Sequence, residues 1–120
     1  MTTREWRFFA EEMLVCARKA SAPAAGLQQA EFVANGLAFD ATLRNLERIG
    51  EAATHIPETV RTAHPEVPWR KLIGLRTWLA HGYLGIDEDV VWSVLRDDLP
   101  PLIEELEAIA AASSGRRHDD

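Results

Sequence analysis

Two side chains of one predicted helix, Arg76 and His81, combine the residue types that bind an anion and transfer a proton. A guanidinium presents a planar fork of donors to a phosphate or carboxylate, and an imidazole changes its charge near neutral pH. Removing a guanidinium from water without a partner is costly, so Arg76 is expected to pair with a carboxylate, line a polar cleft or meet an anionic ligand. Arg76 projects from an otherwise apolar stripe, which is predicted to comprise Trp69, Leu72, Ile73, Leu79, Ala80 and Tyr83.

A purely structural ion pair between Arg76 and Glu47 or Glu51 of the preceding helix would produce the same pattern. Five residues turn a helix by about 140°, so Arg76 and His81 do not share a face. They are expected to meet in a cleft at the helix end, or more readily across a two-fold axis that brings in a second copy. The remaining histidines are interpreted as surface or core residues: His55, His64 and His118.

The sequence predicts neither a metal site nor a cofactor. No two histidines have the i, i+4 spacing of a helical metal site, and Asp87-Glu-Asp89 is better interpreted as favourable charge at a helix start. The single cysteine, Cys16, excludes an intrachain disulfide and a Cys-rich zinc framework.

The elements that must position these side chains are all helical. Ala and Leu outnumber Val and Ile, which favours an all-α fold, and apolar residues recur at helical spacing. We expect an antiparallel bundle of four to five helices, in which Gly82 ends one helix in a left-handed conformation and Pro100 kinks the last. The predicted segments are residues 2–20 with Thr2 as N-cap, 27–56 with a break near Asn35-Gly36, the short turn 58–63, 69–81, and 87–112 with Asp87 as N-cap.

The length of 120 residues fits one domain, predicted as residues 1–112 followed by a disordered tail over 113–120. The net charge is −6, and the acids concentrate in the last helix, which argues against non-specific nucleic-acid binding by a basic surface but leaves open a local cleft that carries arginines. No apolar run is long enough to span a membrane, and residues 1–5 lack an apolar signal core. A cytoplasmic protein is therefore expected.

The string Arg76-Thr-Trp-Leu-Ala-His81-Gly-Tyr83 resembles the Arg, four residues, His, any residue, Tyr motif of HEPN-domain ribonucleases, specifically the HepT-like toxins. Other blocks resemble recurrent segments of that family over about residues 4–110. They are residues 44–52, 68–76, 81–87 and 98–100.

The resemblance implies an HEPN-like fold and a homodimeric endoribonuclease toxin of a type VII toxin–antitoxin pair, which cleaves RNA without a metal. Arg76 and His81 would be catalytic. The partner would be an MntA-like antitoxin with a minimal nucleotidyltransferase fold, which would neutralise the toxin by attaching AMP to Tyr83. One departure is Thr77, where the family often has Asn.

Metal-free RNA cleavage needs a base for the 2′-hydroxyl, charge stabilisation at phosphorus and an acid for the leaving oxygen, so one histidine is not enough. We therefore expect one groove that holds two copies of Arg76 and of His81. Supporting residues at the cleft are predicted to be Thr77, Arg44 and Glu51.

Two alternatives remain open at this point. The first is a catalytically weak HEPN-type subunit that binds nucleotide or docks a nucleotidyltransferase partner, with Arg76 as an anion anchor. The second is a structural helical dimer, which would need a salt bridge from Arg76 to Glu47 or Glu51 and an exposed His81.

Overall fold

The computed structural model describes the backbone of residues 3–82 and 85–119 and the side chains of residues 4–82 and 85–112. The described backbone is helical with no strand, which confirms the all-α prediction. The elements are α1 (Thr3–Ser21), a 3₁₀ turn (Ala22–Ala24), α2 (Gln29–Ala34), α3 (Gly36–Ala53), α4 (Glu58–Ala63), α5 (Trp69–Ala80), α6 (Glu88–Ser93), a π-helical segment (Val94–Asp98) and α7 (Leu99–Asp119).

Helix α3 lies between α1 and α5, and α7 packs on the other side of α1. Helices α1 and α3 are antiparallel, because Thr42 near the start of α3 donates a 2.9 Å hydrogen bond to the carbonyl of Ala20 near the end of α1. The apolar faces of these helices form one continuous core. Its largest fully buried members are Phe32, Met13, Leu46, Ile49, Leu72, Leu99, Leu102, Leu106, Val91 and Val94.

The predicted break near Asn35 is confirmed. Asn35 separates α2 from α3, and its side-chain oxygen accepts a 3.1 Å hydrogen bond from the amide of Ala38, which caps α3. The predicted cap of the last helix is also confirmed, because Asp87 accepts hydrogen bonds from the amides of Asp89 and Val90. The proposed cap Thr2 lies outside the described residues.

The expected kink near Pro100 takes the form of a π-helical segment, Val94–Asp98, immediately before it. Proline has no amide proton and its ring clashes with the carbonyl four residues back, and a wider π turn relieves both problems. Lys71 of α5 fixes this segment through a 2.6 Å ion pair with Asp98. Helix α7 then runs on to Asp119, through residues where the sequence predicts a disordered tail.

Two local predictions for α5 were wrong. The buried residues of α5 are Trp69, Leu72 and Leu75, whereas Ala80 is exposed, so the buried stripe is turned toward Leu75 and Arg76 lies at its edge. The cause is that Gly50 of α3 packs against the backbone of Leu72 and Arg76, a contact between helices that the periodicity of α5 alone does not contain. Gly82 does not have a positive φ, although the helix ends at Ala80 with His81 as its C-cap.

In the described parts of the chain, no helix has both the length and the apolar character that a bilayer crossing requires.

Candidate active site

The close crossing of α3 and α5 places Arg76. A Cβ atom built on Gly50 of α3 would lie 2.7 Å from the carbonyl oxygen of Leu72 and 3.1 Å from the amide nitrogen of Arg76. Only a glycine permits this approach without a shift of one backbone. The crossing therefore fixes the base of the Arg76 side chain directly beside the next residue of α3, Glu51.

Arg76 and Glu51 form an ion pair at the surface. The guanidinium Nη1 donates a 2.8 Å hydrogen bond to Glu51 Oε2, and the two side chains are 42% and 55% exposed. The hydrogen bond from Arg76, more than any other contact, lowers the pKa of the Glu51 carboxyl. Because both groups remain in contact with water, the pair holds Arg76 in place without burying it.

His81 caps the end of α5, and its ring is oriented by the backbone. Its Nδ1 lies 2.8 Å from the carbonyl oxygen of Thr77, and its amide bonds to the same carbonyl at 3.2 Å. A carbonyl only accepts hydrogen bonds, so Nδ1 must carry a proton, and Nε2 of the neutral ring is free to take one. This contact uses the backbone carbonyl of Thr77 and not its side chain, so the same contact to His81 is available whether Thr or Asn stands at position 77.

The outer face of α3 carries a stripe of polar side chains next to Arg76. Arg44, Arg48 and Glu51 recur at four and three residues, so they lie on one side of the helix, and His55 follows four residues after Glu51, just beyond the helix end. His55 Nε2 lies 3.7 Å from Glu51 Oε1, so the same carboxylate contacts both His55 and Arg76. Arg44 is exposed on this stripe, two turns before Glu51.

The structure brings together Arg76 and Glu51, but it does not make a pair of Arg76 and His81 within one chain. Arg76 turns toward α3, whereas His81 turns back onto the carbonyl of Thr77 in its own helix. Tyr83, the predicted modification residue, lies outside the described residues. Among the described side chains, no group of three or more His, Cys, Asp and Glu residues is placed to hold a metal ion.

The sequence analysis interpreted His55 as a surface or core residue, and the structure places its partly exposed side chain beside Glu51. A signal was available, because His55 follows the candidate residue Glu51 by four positions and therefore lies one helical turn further along the same face. The sequence alone left two candidate partners for Arg76, Glu47 and Glu51. In the structure the close crossing at Gly50 places Arg76 beside Glu51, and these two side chains form the ion pair.

The arrangement meets the two conditions of the structural alternative, because Arg76 is in a salt bridge with Glu51 and His81 is exposed. It is equally suited to chemistry. The guanidinium is open to solvent, a phosphate can replace an exposed carboxylate partner, and the free Nε2 of His81 can transfer a proton. Geometry within one chain fits both possibilities, and comparison with other proteins supplies the family.

Residues 13–109 match the family model described as Ribonuclease HepT-like. A provisionally assigned RNase of Methanocaldococcus jannaschii is 33% identical over 109 residues, which covers 91% of this chain and 100% of that protein. A provisionally assigned ribonuclease HepT of Thermococcus cleftensis is 41% identical over 69 residues, 58% of this chain and 63% of that protein. A provisionally assigned RNase of Caldanaerobacter subterraneus is 32% identical over 84 residues, 70% of this chain and 75% of that protein. No solved structure gives a significant match.

Proposed function

Because this chain belongs to the Ribonuclease HepT-like family, we propose that it is an endoribonuclease that uses Arg76 and His81 as catalytic residues and needs no metal ion. The observation that carries the proposal is the end of α5, where an exposed guanidinium and an imidazole with a free Nε2 lie within five residues of each other. These are the two group types that RNA cleavage by the 2′-hydroxyl requires.

The reaction assigns a role to each group. His81 Nε2 removes the proton from the 2′-hydroxyl, whose oxygen then attacks the adjacent phosphorus as the bond to the 5′-oxygen breaks. Arg76 stabilises the negative charge that develops on the phosphate oxygens, for which a guanidinium fork is suited. A second imidazole, already protonated, gives its proton to the leaving 5′-oxygen. The products are a 2′,3′-cyclic phosphate and a free 5′-hydroxyl.

One chain supplies one His81, so the base and the acid come from two copies. In this homodimer each subunit contributes one Arg76 and one His81 to a common groove. Arg44 and Glu51 lie on the neighbouring face of α3, where Arg44 attracts the RNA backbone and Glu51 holds Arg76 until a phosphate replaces it. Thr77 contributes its backbone carbonyl, which orients His81.

The direct test measures RNA cleavage by the purified protein in EDTA. Arg76→Ala and His81→Ala are each expected to reduce cleavage by about 10²- to 10⁴-fold while circular dichroism remains helical. Mass spectrometry of the products should show 2′,3′-cyclic phosphate ends. Full activity of either variant would remove that residue from the mechanism, and activity lost in EDTA but restored by a divalent cation would refute metal independence.

A mixed dimer tests the shared groove. One subunit carries Arg76→Ala and the other His81→Ala, and the heterodimer is purified with two different affinity tags. It retains one arginine and one histidine, too few for both acid and base catalysis, so its rate should lie well below that of the wild type. A wild-type rate would show that a single histidine suffices.

The regulation that we propose is neutralisation by a minimal nucleotidyltransferase antitoxin of the MntA-like kind, which attaches AMP to Tyr83. An AMP on that hydroxyl would bring an anion and a bulky base close in sequence to Arg76 and His81 and would compete with RNA for Arg76. Incubation with ATP, Mg²⁺ and the candidate antitoxin should add the mass of AMP to the wild type but not to Tyr83→Phe. Equal labelling of the Phe variant would place the modification elsewhere.

A further inference from the structure

An aromatic cluster adjoins the Arg76–Glu51 pair, and the mechanism proposed above does not use it. We name it the aromatic shelf; it consists of Phe8 and Phe9 of α1 and His55 beyond the end of α3. The rings of Phe9 and His55 are stacked, with centroids 4.1 Å apart and an interplanar angle of 11°. Phe8 meets Phe9 edge to face, with centroids 5.3 Å apart and planes at 81°.

The shelf is joined to the candidate catalytic groups through one carboxylate. Glu51 contacts His55 through Oε1 at 3.7 Å and Arg76 through Oε2 at 2.8 Å. The guanidinium of Arg76 and the imidazole of His55 therefore contact the two oxygens of the same carboxylate. A phosphate that takes the place of Glu51 on Arg76 would bring its own nucleotide within reach of the shelf.

The shelf offers ring surface to solvent. Phe8 is 57% exposed and the His55 side chain is 41% exposed, so neither side chain is buried in the core. Phe9 is packed against the core and backs His55, which fixes the plane of the imidazole. Exposed aromatic side chains beside an arginine that is proposed to bind phosphate are features of sites that stack an unpaired base.

The ion pair joined to the shelf favours RNA over an apolar protein surface as its occupant. An apolar partner that covered the whole shelf would also cover His55 and the Glu51 carboxylate that His55 contacts, and it would have to compensate their loss of water. A nucleotide instead brings a flat base for the rings and a phosphate for the guanidinium.

We propose that the aromatic shelf is a subsite for one unpaired base of the RNA, next to the phosphate that Arg76 holds. The inference rests on the proposed ribonuclease function and adds a substrate class to it, namely single-stranded RNA with a base at one fixed position. Base pairing would keep that base inside a duplex, so fully double-stranded RNA is a poor ligand. His55 contributes a stacking surface and not a proton.

The test measures binding separately from cleavage. The ligand is a fluorescent single-stranded oligonucleotide with 2′-O-methyl riboses throughout, which lacks the attacking hydroxyl, and affinity is measured by anisotropy in EDTA. Stacking of one base predicts that Phe8→Leu and His55→Ala each weaken binding by about 5- to 150-fold, whereas Phe8→Trp and His55→Phe retain it. Leu37→Ala is the control for loss of an exposed apolar side chain and should bind as the wild type does.

The paired variants separate stacking from other roles. Leucine keeps the apolar bulk of Phe8 without an aromatic face, and phenylalanine keeps the aromatic face of His55 without a titratable group. Equal binding by Phe8→Leu and the wild type overturns the inference, as does a loss in His55→Phe equal to that in His55→Ala. If light scattering shows that Phe8→Leu changes the mass of the assembly, Phe8 is a subunit contact and the inference is likewise overturned.

An abasic scan locates the base. The set consists of the same oligonucleotide with one abasic position in each member. For one member, the wild type should bind more weakly than it binds the intact strand. The Phe8→Leu variant should bind that member and the intact strand equally well. Uniform losses along the strand would exclude a fixed base site. If the protein does not cleave ordinary RNA while the shelf variants still lose binding, the ribonuclease proposal has failed and the base subsite stands. If the protein cleaves RNA and the shelf variants bind as the wild type does, the subsite has failed and the ribonuclease proposal stands.

Discussion

Two Arg–Glu ion pairs on the described part of the surface are almost the same in geometry and differ in surroundings. Arg76 and Glu51 join α5 to α3 at 2.8 Å, with side chains 42% and 55% exposed. Arg18 and Glu107 join α1 to α7 at 2.9 Å, with side chains 54% and 52% exposed. Neither the distance nor the exposure separates a candidate catalytic pair from an ordinary surface contact.

The surroundings do separate them. Arg76 stands where two backbones approach closely at Gly50, and the carboxylate it contacts also contacts His55. Among the described residues, Glu107 has Arg18 as its ion-pair partner and no histidine beside it, and α1 contains no glycine. The α3–α5 edge thus combines a guanidinium at a close backbone crossing with a second titratable neighbour, whereas the α1–α7 edge carries a simple two-residue ion pair. A site is identified by what converges on the ion pair, not by the pair itself.

The largest expected difference between the two edges is in catalysis. Arg76→Lys keeps the charge and loses the planar fork, so RNA cleavage should fall by about 10²-fold or more, because an ammonium cannot hold two phosphate oxygens in the same way. Arg18→Lys makes the same change at the α1–α7 edge and should leave the cleavage rate unchanged. A single-turnover cleavage assay measures both. If Arg76→Lys kept its rate, Arg76 would act as a simple charge, and the two edges would differ less than we infer.

The next largest effect concerns the close crossing. Gly50→Ala places a methyl group 2.7 Å from the carbonyl oxygen of Leu72, a backbone atom that cannot move without α5, so we expect a net loss of about 1–2 kcal/mol and reduced cleavage. Gly74→Ala makes the same substitution within α5, where nothing lies within 4 Å of the added carbon, and should gain about 0.5–1 kcal/mol. Urea unfolding at one protein concentration measures both. A stable, fully active Gly50→Ala protein would show that the crossing does not position Arg76.

Most of the fold was predictable from the sequence because the helices and their ends depend on residues that are close in sequence. Apolar spacing predicted the helices, Asn35 and Asp87 predicted where two of them begin, and Pro100 predicted the irregularity that appears as a π-helical segment. The rotation of α5 was not predictable in this way. It depends on a glycine in another helix, Gly50, so a helical wheel of α5 alone placed Arg76 in the middle of the buried stripe instead of at its edge.

The candidate site was predictable in its residue types and not in its contacts. The spacing of Arg76 and His81 singled out both residues, but the carbonyl of Thr77 that orients His81 is a backbone group, and sequence patterns report only side chains. The stacking of His55 on Phe9 could not be predicted, because Phe9 comes from a helix 46 positions earlier in the sequence. Contacts between helices are what the one-dimensional pattern omits.

A smaller effect is expected on RNA affinity. Glu51→Gln removes the carboxylate that occupies Arg76, so binding of the 2′-O-methyl oligonucleotide should tighten a few-fold, since the phosphate no longer has to displace a charged group. Glu107→Gln removes the same charge at the α1–α7 edge, and any general effect of net charge appears there as well. The difference between the two variants isolates the local competition. Equal tightening in both would mean that Glu51 does not compete with RNA for Arg76.

The smallest expected effect is the pH dependence of stability that Glu51 contributes. The hydrogen bond from Arg76 lowers the pKa of Glu51 in the folded state below the ordinary value of 4.5. A lowered pKa means that the stability contributed by Glu51 is fully present above pH 4.5 and is lost as the pH falls through the folded-state value, because the unfolded state then binds the proton more readily.

Other carboxylates titrate in the same range, so the measurement is the difference in unfolding free energy between the wild type and Glu51→Gln at each pH. That difference should be constant near neutral pH and should shrink on acidification. Arg76→Ala in the same series should abolish the trend, since without the guanidinium nothing of comparable strength lowers the pKa of Glu51; a trend that survived would assign the shift to another partner, such as His55.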